Sequence, residues 1–203
     1  MIPDSYFDRF ETPKYRARNP VQRALIRRFV TQVHALFLEA GPVESVLEVG
    51  VGEGFLSGYL SEKLPEKRFT GVDVKQEDLD RLRAKFPRIA THAASIYDAG
   101  RVPGSYDLVI CAEVLEHVGD PDRALSALVA LRPKHLLITV PHEPWFLLSN
   151  LLRGKNLTRF GNDPEHVQLF TAGRFERLLR RHLTIERSTQ SYPWLLALGC
   201  PKG

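Results

Sequence analysis

Two groups of residues in this 203-residue chain have types and spacings that chemistry can use. The first is the run Val46-Leu-Glu-Val-Gly-Val-Gly-Glu-Gly54, with glycine at 50, 52 and 54. Glycine lets the backbone turn sharply and leaves no Cβ between it and a ligand. A buried strand, a glycine turn and a helix start, in that order, hold a nucleotide-like cofactor outside the carboxyl end of a parallel strand. The helix behind the turn offers free N–H groups and a positive dipole end, which suit a carboxylate. The second group is Glu113, Glu116 and His117, directly after an apolar run. If the chain turns helical there, all three share one face, because i,i+3 and i,i+4 neighbours do. Two carboxylates and an imidazole suit a hard or borderline divalent ion. His166 is the first choice of fourth ligand and His142 the second. The competing reading is that the acids and His117 fix the loop and border a substrate.

Other residues extend the cofactor site. Asp73 ends the next strand, Phe69-Thr-Gly-Val-Asp-Val74, where a carboxylate can take both hydroxyls of a ribose. Ser95 and Ile96 follow the third strand and can bracket an adenine. The spacing is G-x-G-x-G, with Phe55 next, not the G-x-G-x-x-G of dinucleotide sites. That difference moves the expectation to S-adenosylmethionine. His117, His142 and His166 are the candidate general bases near neutral pH.

The elements that must position these residues follow from periodicity. Apolar positions from Val21 to Phe37 recur at helical spacing between Pro20 and Gly41-Pro42. Strands are expected at about 45–50, 69–74, 89–94, 106–112 and 134–140, with helices at about 54–64, 76–86 and 121–131 between them. This alternation indicates an α/β fold, a parallel sheet with crossover helices. Residues 1–42 read as an N-terminal basic helical segment, and Tyr6, Phe7, Phe10, Lys14 and Tyr15 as a lid. Residues 43–203 read as the main domain, with a substrate-side insertion at about 141–170. A helix at about 172–181, capped by Thr171, and a hairpin at about 183–188 and 192–199 complete the chain.

Composition is that of a globular protein, 43% hydrophobic and 26% charged. No apolar run reaches the roughly 20 residues needed to span a bilayer, and no secretory signal pattern opens the chain. A cytoplasmic location is expected, with Cys111 and Cys200 as free thiols. The net charge is +4, and the first 38 residues hold seven Arg/Lys against three acids. Such an arm can meet RNA, acidic lipid or an anionic substrate, or be a solvated helix face. Trp145, Phe146, Leu147, Leu148, Leu151 and Leu152, followed by Arg153 and Lys155, suggest a substrate lid, an in-plane membrane contact or a packed helix.

Taken together, EVGVGEG, GVDV and YDLVICAEVLEH resemble the first, second and fourth motifs of the class I S-adenosylmethionine-dependent methyltransferases. The resemblance covers roughly residues 43–188. It implies a Rossmann-like doubly wound sheet of seven strands in the order 3-2-1-4-5-7-6, with strand 7 antiparallel. It also implies that Glu48 and the Gly50, Gly52, Gly54 turn face the methionine end of the cofactor, that Asp73 binds ribose, and that Ser95 and Ile96 flank adenine. Glu113 joins the cofactor-binding set. The E-x-x-E-H run is similar to that of two branches. These are the ubiquinone-biosynthesis O-methyltransferases and the small-RNA 2′-O-methyltransferases, and in the latter such a run with a later histidine holds Mg²⁺ or Mn²⁺. By resemblance, the metal ligands would be Glu113, Glu116, His117 and His166.

Three functions follow. One is methyl transfer to an oxygen of a small-molecule or lipid-like acceptor. Another is a metal-assisted RNA 2′-O-methyltransferase. The third is a non-catalytic binding module on the same scaffold.

Overall fold

The computed structural model describes residues 2–143, 145 and 167–202. In chain order the elements are α1 (Asp4–Phe7), α2 (Pro13–Arg16), α3 (Pro20–Glu39), β1 (Ser45–Val49), α4 (Phe55–Lys63), β2 (Arg68–Asp73), α5 (Gln76–Lys85) and β3 (Ala90–Ala93). Then come β4 (Leu108–Ala112), α6 (Pro121–Ala130), β5 (His135–Pro141), α7 (Ala172–His182), β6 (Leu183–Ser191) and β7 (Trp194–Pro201). Single 3₁₀ segments cover Ile96–Arg101 and Leu115–His117.

The strands form one sheet in the order β3-β2-β1-β4-β5-β7-β6. Neighbours from β3 to β5 pair in parallel, and β7 runs antiparallel to both β5 and β6. This is the order and the reversed strand that the resemblance implies. β1 sits centrally and every one of its residues is buried, because helices cover both faces of the sheet. One face packs α3, α4, α5 and the N-terminal segment through Phe29, Val33, Phe37, Phe55 and Leu82. The other packs α6, α7 and the Ile96–Arg101 turn through Leu125, Leu128, Phe175 and Leu179. Fully burying each such side chain contributes about 1.5–3 kcal/mol.

Helix starts follow local capping chemistry. Asn19 accepts from Gln22 N with Pro20 in the first turn, Asp120 accepts from Arg123 N, and Thr171 from Arg174 N. At the amino end of the sheet, Asp107 Oδ2 accepts from Glu44 N, Ser45 N and Ser45 Oγ, tying β4 to the start of β1. Cys111 is buried and Cys200 half-buried, both free. No helix among the described residues is long and apolar enough to cross a membrane.

The segment before α3 folds into the main core. Tyr6, Phe7 and Phe10 are buried against Phe55, with ring centroids 5.3, 5.3 and 4.9 Å away. Much of the arm's positive charge is consumed internally. Arg23 pairs with Asp4 and Asp8, Arg27 with Asp4, and Arg9 with Glu62.

Candidate active site

The glycine turn closes at the carboxyl end of β1. Gly50, Gly52 and Gly54 all have positive φ (78°, 51° and 82°), where other residues are strained. Gly50 N and Val51 N both donate to Val72 O of β2, at 2.8 and 3.0 Å, which folds the turn toward the second strand. A Cβ on Gly50 would lie 2.2 Å from Val114 Cγ2, so the turn also presses against the chain leaving β4.

Asp73 ends β2 beside this turn. Its Oδ2 accepts from Gly52 N at 2.8 Å and its Oδ1 from Lys75 N at 3.0 Å. Glu48 lies under the turn, buried, and accepts from Ser57 N at 3.0 Å and from Ser57 Oγ. It thereby takes one of the free N–H groups of the first turn of α4. Burial pushes its pKa up to about 7, against the two Ser57 hydrogen bonds. Ser95 accepts from Tyr97 N and starts the Ile96–Arg101 turn, where Ile96 is buried.

Glu53, in the middle of the turn, was not singled out in the sequence. It grips the N-terminal segment and α5. Its carboxylate accepts from Glu11 N, from Thr12 N and Thr12 Oγ at 2.8 Å each, and from Lys85 Nζ at 2.5 Å. Burial raises its pKa, but the Glu11, Lys85 and Thr12 bonds outweigh that and hold it at about 2. Further along this strap, Tyr15 lies flat on Phe55, 3.8 Å between centroids and 2° between planes. Burial pushes the Tyr15 hydroxyl up to about 12.

Lys14, between these anchors, donates to Glu113 Oε2. Burial lowers the Lys14 pKa, but Glu113, Tyr15 and Glu116 together more than reverse it, so the net shift is upward. Trp194, the first residue of β7, donates its indole N–H to Glu113 Oε1. Trp194 too was not anticipated as a site residue; its position beside Tyr192-Pro193 carried no chemical signal.

The chain does not turn helical over 113–117, the condition under which the three side chains would share one face. Glu113 N still bonds across to Thr139 O of β5 at 3.1 Å, so Glu113 belongs to the strand end. It has φ 58°, a left-handed conformation that no α-helix continues. Only Leu115–His117 form a 3₁₀ turn. Glu116 points into the core, 1% exposed, and burial, followed by the nearby Glu113 charge, drives its pKa well up. His117 is exposed, with Nε2 3.9 Å from Glu116 Oε1.

Among the described residues, no three His, Cys, Asp or Glu side chains gather as a metal-holding group. Both oxygens of Glu113 are already held by Lys14 and Trp194. The described side chains therefore do not fit a divalent ion as they stand. His166, the expected fourth ligand, lies outside the described residues, as do Phe146 to Lys155 of the apolar-then-basic stretch. The next residue, Val167, donates its N–H to Glu116 O at 2.8 Å. His142 is half-buried beyond β5, with its backbone N–H donating to Pro193 O, and burial lowers the pKa of its ring. Trp145 is exposed. A separate cavity of about 640 Å³ opens at the opposite, amino end of β1–β3, lined by Ser45, Phe69, Ile89 and Tyr106 among others.

A sheet of this order, with a glycine turn after β1 and acids closing β2 and β4, defines a class of protein. Comparison with known families agrees. Residues 21–182 match the family described as "Methyltransferase domain". The chain belongs to that family, and within it to the class I S-adenosylmethionine-dependent methyltransferases.

Among curated relatives, a malonyl-[acyl-carrier protein] O-methyltransferase of Chlorobium phaeovibrioides is 35% identical over 114 residues, 53% of this chain and 43% of that one. A ubiquinone biosynthesis O-methyltransferase of Aeromonas salmonicida is 33% identical over 122 residues, 56% of this chain and 50% of that one. The chain thus spans about half, or less, of the length of these relatives. Among solved structures, magnesium protoporphyrin IX methyltransferase from Synechocystis PCC 6803 shares the fold at TM-score 0.70 and 20% identity, over 98% of this chain and 95% of that one. The methyltransferase domain of bacterial Hen1 does so at TM-score 0.66 and 23% identity, over 87% and 99%.

Proposed function

We propose that this chain transfers a methyl group from S-adenosylmethionine to an oxygen of a small-molecule or lipid-like acceptor. One observation carries the reading. The Gly50–Gly54 turn, Asp73 and Glu113 converge at the carboxyl ends of β1, β2 and β4. The O-methyltransferase names of the relatives above support oxygen as the accepting atom.

In this reading the donor supplies an already activated methyl group, and the protein must align the acceptor with it and take up a proton. The glycine turn offers backbone without Cβ obstruction, Asp73 offers a carboxylate for the ribose, and Ser95 and Ile96 border the adenine. Glu48 fixes the start of α4 behind the turn and so sets the direction of its remaining N–H groups. His142, whose pKa lies below that of an ordinary histidine, is neutral at pH 7 and can accept the acceptor's proton. His117 and His166 are the other candidate bases.

The RNA reading would need Mg²⁺ or another divalent ion at Glu113, Glu116, His117 and His166, and the described members of that set do not gather as a metal-holding group. The internal pairing of Arg9, Arg23 and Arg27 gives that reading no added support.

Titration calorimetry with S-adenosylmethionine is the direct test. Binding by the wild type and a loss of at least about tenfold in Asp73→Ala, as expected for removing a charged hydrogen-bond partner, is the expected result. No heat in the wild type would leave only a binding module of another kind.

A further inference from the structure

Glu113 stands where β4 meets the glycine turn, one residue before the Val114 side chain that fills the space over Gly50. Its carboxylate is held from two sides, by Lys14 of the strap and Trp194 of β7. Lys14 is itself fixed. Its ammonium lies 5.5 Å from the Trp194 ring centroid and 5.7 Å from that of Tyr15, and its carbonyl accepts from Gln22 Nε2 at 2.7 Å. This is a constructed position, unlike the pairing of two mobile surface side chains.

We propose that Lys14 is a specificity-determining residue that sets the charge presented to the methyl donor. It acts through Glu113, cancelling a carboxylate that would otherwise face the donor alone. The proposal rests on the reading of the glycine turn as a methyl-donor site.

The chemistry gives such a lysine a purpose. In methyl transfer to a hydroxyl, the S–CH₃ bond breaks with its electron pair going to sulfur, an O–CH₃ bond forms, and the hydroxyl proton passes to a base. Sulfur begins as a sulfonium cation and ends as a neutral thioether. A bare carboxylate beside it stabilises the starting cation more than a transition state in which that charge is fading. Such binding deepens the ground state without speeding the step. A Lys14–Glu113 pair is close to neutral and removes most of that bias. Lys14 thereby becomes a positioning residue supplied by a segment outside the motifs.

The test compares dissociation constants for S-adenosylmethionine, a cation at sulfur, and S-adenosylhomocysteine, neutral there. Calorimetry on the full chain gives the ratio of the second to the first for the wild type, Lys14→Met, Lys14→Arg and Glu113→Gln. Lys14→Met is expected to raise the ratio on the order of tenfold, the effect of one uncompensated charge several ångströms away in a partly screened site. Lys14→Arg should stay within about twofold of wild type, and Glu113→Gln should lower the ratio. A loosened strap would shift both constants and leave the ratio alone.

An unchanged ratio in Lys14→Met overturns the proposal, as does an equal rise in Lys14→Arg. Should Lys14→Met fail to fold, a Glu113→Gln ratio at or above wild type overturns it instead. A wild type that binds neither compound sinks the donor-site reading and this proposal together. Binding of both with an unmoved ratio sinks this proposal alone.

Discussion

Two glutamates in or next to the glycine turn hold their protons in opposite ways. Glu53 is buried but saturated with donors, and its pKa falls from 4.5 to about 2. Its folded pKa lies below the unfolded one. The stabilisation is therefore complete above about pH 4.5 and is lost as pH falls toward 2. The shift corresponds to roughly 3 kcal/mol. Glu53→Gln should lower stability near neutrality by that order and flatten the acid limb between pH 4.5 and 2, read by urea unfolding at a series of pH values. Glu48 has the reverse sign. Burial raises its folded pKa from 4.5 to about 7, so its cost to stability is absent below pH 4.5 and grows as pH rises toward 7. Glu48→Gln should flatten that interval, and a wild-type slope in the variant would contradict the assignment.

Among the elements, the strap from Glu11 to Tyr15 is the one whose role depends most on tertiary contact. Its anchors are Glu53, Phe55 and Glu113, and none is close to it in sequence. Tyr15→Ala removes the stacked pair, worth about 1 kcal/mol beyond simple burial. Trypsin should then cut at Arg16 and Arg18 faster than in the wild type, while the melting of the main core changes little. Equal cutting rates would mean that the strap does not depend on Tyr15. The sequence made the other elements plain for local reasons. Alternate glycines demand a turn, Pro20 and Gly41-Pro42 bound a helix, and an all-apolar strand demands a covered sheet. It pointed to Lys14 and Tyr15 as lid residues by placement alone. Their partners were hidden, because Lys14 and Trp194 lie 99 and 81 residues from Glu113 and no periodicity encodes such pairs. The E-x-x-E-H spacing misled in one respect. It would place the three residues on one face only in a helix, whereas Glu113 remains tied to β5 in a left-handed conformation.

For the whole molecule, the reversed strand is decisive. β7 inserts between β5 and β6 and covers the β5 edge from Leu136 to Pro141. Deleting residues 183–203 would leave that buried, apolar edge unpaired, a ready template for association. Light scattering should show aggregation of the shortened chain under conditions where the full chain stays monodisperse. A soluble shortened chain with native circular dichroism would refute this. The meeting of Lys14, Glu113 and Trp194 also has a consequence during synthesis. The strap leaves the ribosome before β7, and one of the two groups that hold Glu113 in place is supplied by β7, the strand of highest residue number in the sheet. A nascent chain can build β1–β4 and its glycine turn while Glu113 still lacks that partner. On the proposed reading, the donor site is therefore complete only once the β6–β7 hairpin has closed, and a chain stalled before that hairpin would carry the glycine turn without its finished charge balance.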